Sequence, residues 1–196
     1  GYIGSHTSIA LLDAGHQVTI IDNLSTGNKQ LIPSNASFIE CNINDFAIIG
    51  ELIQKEKFDA LMHFAGFIKV EESVHNPKKY FENNTENAKI LFDTCAKYDL
   101  KNIIFSSTAA AYGNSDNFDK VDETTKLRPL NPYGESKIET EKYLQNNPDF
   151  NYIILRYFNV AGADPLMRSG IINKKATHLI KIASEVAVGK RDKITI

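Results

Sequence analysis

Cysteine is scarce in this chain. There are two, Cys41 and Cys95, with no CxxC pair and no histidine at ligand spacing. That excludes a disulfide framework and leaves no zinc motif, so no metal is expected. Two thiols in 196 residues suit a reducing, cytoplasmic setting, with both expected as buried core residues. No apolar run approaches the ~18 residues of a membrane span, so no membrane partner is expected. An excess of one charge is also lacking: 22 Lys+Arg against 24 Asp+Glu give a formal net charge of −2. Such a balance provides no general field to draw in nucleic acid, so any anionic ligand needs a local site. An initiating methionine and a visible signal peptide are absent too. The chain opens on Gly1-Tyr2-Ile3-Gly4 and stops within Asp192–Ile196, an alternating stretch that reads as the start of a strand. Both ends therefore read as cuts.

What is present is enough for one sizeable core, with 42% hydrophobic residues. Periodicity predicts helices at Ser8–Ala14, Phe46–Lys55, Asn84–Tyr98, Tyr133–Leu144 and Ala176–Val188. Short apolar strands are expected at Gln17–Ile21, Ser37–Glu40, Asp59–Phe64, Asn102–Ser106 and Tyr152–Arg156. Strands alternating with helices imply βαβ units and a parallel sheet covered on both faces, an α/β fold. Two polar stretches, Asn114–Arg128 and Gly162–Lys175, follow strand ends, where ligand-binding loops sit in open α/β sheets.

Two motifs carry chemistry. Gly1 and Gly4 open a helix that is followed by a strand ending in Asp22, about 20 residues on, as in dinucleotide sites. Glycines let backbone approach a pyrophosphate, the helix N-terminus favours its charge, and the acid accepts from ribose hydroxyls. An aspartate there repels a 2′-phosphate, so NAD is favoured over NADP. A first strand and an earlier glycine are expected to precede Gly1. The bland alternative is a tight turn followed by an exposed acid. In the second motif, Tyr133 and Lys137 are four apart and share a helix face. Lowering a phenol toward pH 7 takes about 4 kcal/mol of phenolate stabilisation, which a nearby ammonium and a cationic nicotinamide could supply. Ser106-Ser107-Thr108, at the end of the preceding strand, offers hydroxyls for a substrate oxygen. On spacing alone the pair could equally be a surface pair.

Longer stretches carry a resemblance. GYIGSHT (1–7), IIDNLSTG around Asp22, MHFAG ending at Gly66 and FSSTAAAYG ending at Gly113 resemble the extended short-chain dehydrogenase/reductase superfamily, and within it the UDP-hexose 4-epimerases. So do PYGESK (132–137), LRYFNVAGADP ending at Pro165 and VAVGKRD ending at Asp192. The resemblance covers essentially the whole chain. It implies a Rossmann-like doubly wound parallel sheet whose first strand, together with most of a C-terminal substrate domain, lies outside the chain. Residues 1–160 would form the NAD-binding domain and residues 161–196 the start of the substrate region.

The resemblance also implies roles. Tyr2 and Ile3 would lie at the pyrophosphate turn, Asp22 and Asn23 at the adenosine ribose, and Asn42 and Ile43 beside the adenine. Phe64, Ala65 and Gly66 would pass under the cofactor, and Asn83 and Phe158 would contact it. Thr108 would hold the sugar hydroxyl, Tyr133 would act as acid/base, and Lys137 would bind the nicotinamide ribose. Asn159 and His178 would contact the UDP-sugar. UDP-glucose and UDP-galactose are the implied substrates and a homodimer the implied assembly of the full-length protein. The related 4,6-dehydratases place an Asp-Glu pair after the loop threonine; here Ala109-Ala110 follow Thr108, so epimerisation fits better. Three departures stand out: Asn42 in place of Asp, Ile68 where some members have Lys, and Lys181 in place of Pro. Other readings are an epimerase of a different nucleotide sugar and a non-catalytic nucleotide-binding piece.

Overall fold

The computed structural model describes residues 1–114, 120–172 and 178–194. Two compact units are present. One comprises residues 1–20, 24–38 and 159–196; the other comprises residues 21–23 and 39–158.

The second unit carries the main core. Its strands β3 (Leu61–His63), β4 (Asn102–Ser106) and β5 (Asn151–Leu155) form a parallel sheet in that order. Leu61 faces Ile103, and Ile104 faces Ile153. Parallel neighbours need crossovers. α3 (Val70–His75), α4 (Pro77–Phe81) and α5 (Asn87–Lys97) lie between β3 and β4, and α6 (Pro132–Asn146) lies between β4 and β5. These are βαβ units, the Rossmann-like arrangement expected. α2 (Phe46–Glu56) starts where Asp45 accepts the Ile48 N–H, and it buries Ile49 and Ile53. Phe92 of α5 is fully buried at the centre, edge-on to Phe105, His63 and Phe150.

In the first unit α1 (Tyr2–Asp13) begins six residues before the predicted Ser8. Periodicity missed its start because Gly4, Ser5, His6 and Thr7 interrupt the apolar pattern between Ile3 and Ile9. Their hydroxyls are consumed within the helix: Ser5 donates to Tyr2 O, Thr7 to Ile3 O and Ser8 to Gly4 O. Ser5 also meets Ser169 at 2.6 Å. Arg168 forks onto Asp13 and onto Asp164, with four contacts of 2.8 Å. α7 (Leu179–Ala187) is shorter than predicted, and positions 176 and 177 of the predicted helix lie outside the described residues. Residues 192–194 are irregular where a strand was expected, and residues 195 and 196 lie outside the described set.

β1 (Thr19–Ile21) pairs with β2 (Ser37–Ile39) in a separate two-stranded sheet. Both thiols are free; Cys95 is buried as expected, while Cys41 is only half-buried. Among the described residues no helix is long and apolar enough to cross a membrane.

Candidate functional site

The end of β4 and the start of α6 build the centre of the site in the second unit. Beyond β4 the backbone stays tied to its neighbour strand: Ser107 N–H donates to Leu155 O at 2.9 Å and Ala109 N–H to Tyr157 O at 3.0 Å. Thr108 lies between these ties, 7% exposed. Its hydroxyl oxygen accepts the Ala110 N–H at 3.1 Å and so caps the short turn Ala109–Ala111. α6 starts where Asn131 accepts the Gly134 N–H at 2.9 Å and Pro132 takes the first helical position. A Cβ on Gly134 would stand 2.9 Å from Ala110 O and 3.1 Å from Pro129 Cβ. Glycine therefore lets the first turn of α6 lie against the turn that Thr108 caps. Tyr133 is thereby brought to the Thr108 hydroxyl, which favours its phenolate form.

One turn along α6, Lys137 is 4% exposed, with Nζ 4.5 Å from the centroid of the Phe105 ring. Burial drives its pKa down to about 8, opposed by the Glu141 carboxylate. Burial also raises the Tyr133 phenol above its ordinary value, and the Thr108 hydroxyl opposes this. The sequence reading had the neighbouring ammonium lowering Tyr133. Without a bound cofactor desolvation prevails, and Tyr133 is held as the neutral phenol.

Phe64, Ala65 and Gly66 follow β3 and are half-buried. A Cβ on Gly66 would stand 3.2 Å from Asn84 Oδ1 and 3.6 Å from Lys137 Nζ. Asn83 belongs to a π-helical turn, Glu82–Glu86, and donates to Asn84 Oδ1 at 3.0 Å. At the opposite end of the assigned set, Asn23 Nδ2 donates to Asn42 Oδ1 at 2.8 Å, and the Asp22 N–H reaches Ile39 O at 3.4 Å. Ile43 packs against the core, and Phe158 is 69% exposed. The remaining assigned residues fall in the first unit. There Gly1 is the N-cap of α1, Tyr2, Ile3 and Gly4 form its first turn, and Tyr2 OH donates to Gly162 O at 2.8 Å. Asn159 is exposed, and His178 precedes α7 with both ring nitrogens buried and unbonded among the described residues. Of the departures, Ile68 is exposed, and Lys181 donates to Ile171 O.

Several residues of this region escaped the sequence reading. Asn84, 1% exposed, accepts the Phe67 N–H at 2.8 Å and donates to Phe67 O and to Ser136 Oγ, joining the loop after β3 to α6. Tyr80 is fully buried, edge-on to Tyr133 at 6.4 Å, and donates to Glu72, which also binds Lys79 at 2.6 Å. Glu141 is fully buried and paired with Arg156. A signal for Glu141 existed: it lies four residues after Lys137, on the same helix face, and a carboxylate there needs a buried partner.

All 196 residues match the model of the NAD dependent epimerase/dehydratase family. The chain is 42% identical, over its whole length, to a UDP-glucose 4-epimerase of Azospirillum brasilense, of which it covers 57%. It is similar to the structure of the UDP-Glc/GlcNAc 4-epimerase of Campylobacter jejuni, at 46% identity and a TM-score of 0.82, covering 99% of this chain and 61% of that one. It also superposes on a UDP-glucose 4-epimerase from Brucella ovis in complex with NAD, at 36% identity and a TM-score of 0.93, covering 99% of this chain and 60% of that one. The chain thus spans about 60% of the length of the relatives it matches. With the glycine-led helix, the strand-end hydroxyls and the Tyr133–Lys137 helix all inside the matched region, the chain belongs to the NAD dependent epimerase/dehydratase family.

Proposed function

We propose that the full-length protein catalyses epimerisation at C4 of a UDP-hexose, interconverting UDP-glucose and UDP-galactose with NAD as resident cofactor. The observation that carries this reading is the packing of the first turn of α6, which bears Tyr133, against the turn capped by Thr108, with Lys137 buried one helical turn away. The residues suit a dinucleotide. Gly66 keeps the backbone bare where a side chain would crowd Asn84 and Lys137. In this proposal Gly1, Tyr2, Ile3 and Gly4 hold the pyrophosphate. Asp22, Asn23, Asn42 and Ile43 hold the adenosine end, and Phe64, Ala65, Gly66, Asn83 and Phe158 flank the rest. Residues 1–160 serve as the cofactor domain and 161–196 begin the substrate region.

Bound NAD would supply a reversible hydride acceptor. Thr108 orients the sugar 4-hydroxyl toward Tyr133. Tyr133 takes that proton as C4 is oxidised and returns it when C4 is reduced from the other face. Lys137 holds the nicotinamide ribose and favours the phenolate in the loaded site. Asn159 and His178 contact the UDP-sugar, and the full-length protein works as a homodimer. A dehydratase needs an acid beside Thr108, and Ala109-Ala110 provide none.

The test is to assay the full-length protein on UDP-glucose, UDP-galactose and their N-acetyl forms without added NAD. Interconversion of the hexoses with no net reduction of the cofactor is the expected result. Formation of a 4-keto-6-deoxy product, or inertness toward every UDP-sugar, would overturn the reading. Turnover confined to the N-acetyl forms would replace the hexose assignment.

A further inference from the structure

Glu141 has no exposed surface and sits on α6 one turn beyond Lys137. Isolated buried carboxylates are costly, and this one is fully engaged. Arg156, just past β5, places Nε 3.0 Å from both carboxylate oxygens and Nη2 2.6 Å from Oε2. The remaining contact is with Ser107, whose hydroxyl hydrogen-bonds Glu141 Oε1. Arg156 in turn lies over the Tyr112 ring, 5.4 Å from its centroid, and reaches the Tyr112 hydroxyl at 3.5 Å.

The cluster therefore grips both ends of the segment that carries Thr108. Ser107 precedes Thr108 and is tied by its side chain to α6 and by its N–H to Leu155 O. Tyr112 follows the turn capped by Thr108 and is held from the side by Arg156. Tyr133 stands on the same helix as Glu141, two turns earlier. Thr108 and Tyr133 are thus linked through one side-chain contact, Ser107–Glu141, with the peptide bond from Ser107 to Thr108 on one side and the α6 backbone from Glu141 to Tyr133 on the other. A surface position would have been cheaper for an ion pair with only a packing role, because replacing a buried pair with apolar residues is often neutral or stabilising.

We propose that the buried Glu141–Arg156 pair is a positioning element that sets Thr108 against Tyr133 through the Ser107 hydroxyl. The proposal rests on the acid/base reading of Tyr133 given above. Neither Glu141 nor Arg156 acts on the substrate; both act through Thr108.

The experiment uses the full-length protein in four forms: the parent, Ser107→Ala, the double variant Glu141→Met/Arg156→Met, and Ser107→Ala in that double background. The double variant removes both charges together, so neither is left buried alone. Thermal unfolding and NAD titration report folding and cofactor binding; kcat and KM for UDP-galactose report positioning. The expected result is a double variant with an unfolding temperature and NAD affinity close to the parent, an unchanged KM, and a kcat at least tenfold lower. Misplacing a reacting group by about 1 Å costs on the order of a hundredfold. Ser107→Ala should lower kcat in the parent and change nothing further in the double-variant background. A folded double variant with kcat within threefold of the parent would overturn the proposal. If the double variant does not fold, Ser107→Ala decides alone: an unchanged kcat overturns the proposal and a lowered kcat at constant KM upholds it. A parent inactive on every UDP-sugar would instead defeat the functional reading itself.

Discussion

The ammonium of Lys137 rests 4.5 Å from the centroid of Phe105, in a position that leaves 4% of the residue exposed. Its pKa of about 8, against an ordinary 10.5, makes it a stability liability at neutral pH, of about 3 kcal/mol at roughly 1.4 kcal/mol per unit. Between pH 8 and 10.5 the unfolded chain keeps a proton that the folded one has released, so stability rises with pH across that window and is flat below it. Lys137→Met should therefore raise the unfolding temperature of the nucleotide-free full-length protein at pH 7 by several degrees and remove the rise above pH 8. The same variant should lose most of its turnover and bind NAD more weakly. Thermal scans at pH 7 and pH 9.5 check the first part, and a destabilised variant would contradict it.

His63 gives a pH signature of the same sign in a lower window. It is 3% exposed, stacked on Phe105 with centroids 5.8 Å apart, and its Nε2 has no partner among the described residues. Burial and then the Lys137 charge bring its pKa down to about 3. The folded protein keeps it neutral while the unfolded chain charges it below pH 6.5, so stability is lost as pH falls from 6.5 toward 3. Each unit in that window costs about 1.4 kcal/mol. His63→Gln should flatten the fall in unfolding temperature between pH 6.5 and pH 4. An unaltered slope would show that other groups dominate acid unfolding.

Thr108 and Tyr133 should separate in their pH profiles. Tyr133→Phe removes the proton carrier, and general acid–base catalysis is worth about 10²–10⁴-fold, so kcat should fall by that order with NAD still bound. Thr108→Val removes the group that opposes the upward push of burial on the phenol. The Tyr133 pKa then rises further, and the acid limb of the kcat profile should move to higher pH. A Thr108→Val profile lowered in height but unmoved along the pH axis would speak against the Thr108 hydroxyl acting on the phenol.

Cofactor choice should follow Asp22, since no arginine accompanies it in Asp22-Asn23-Leu24. Full-length protein should prefer NAD to NADP, and Asp22→Ala should weaken NAD binding and narrow the difference. Fluorescence titration with both nucleotides is the check, and equal affinities in the parent would contradict it.

The parts of this architecture most legible in the sequence are those built from apolar runs. Asn102–Ser106 is β4 as read, and β5 is displaced by one residue from Tyr152–Arg156, because β-branched and aromatic residues bounded by polar ones fit little else. α3 and α4 were missed: at six and five residues they are too short to display a helical period, and Asn76 separates them, with Pro77 opening the second. The Tyr133–Lys137 pair was readable because one helix turn carries both. Most of its surroundings were not, because Asn84 reaches Ser136, and Ser107 and Arg156 reach Glu141, by tertiary contacts that spacing along the chain does not encode.

The π-helical turn at Glu82–Glu86 makes this part of the gene unforgiving of changes in length. A π turn holds one residue more than an α turn, so losing a single codon there would let the helix close into regular α geometry. Each α residue advances about 100° around the axis. The deletion would swing Asn84 off the Phe67 backbone or, with Asn84 kept in place, rotate Leu91, Phe92 and Cys95 out of the core they fill. Side-chain substitutions in this turn can be absorbed one contact at a time; an insertion or deletion sets the loop after β3 and the core against each other.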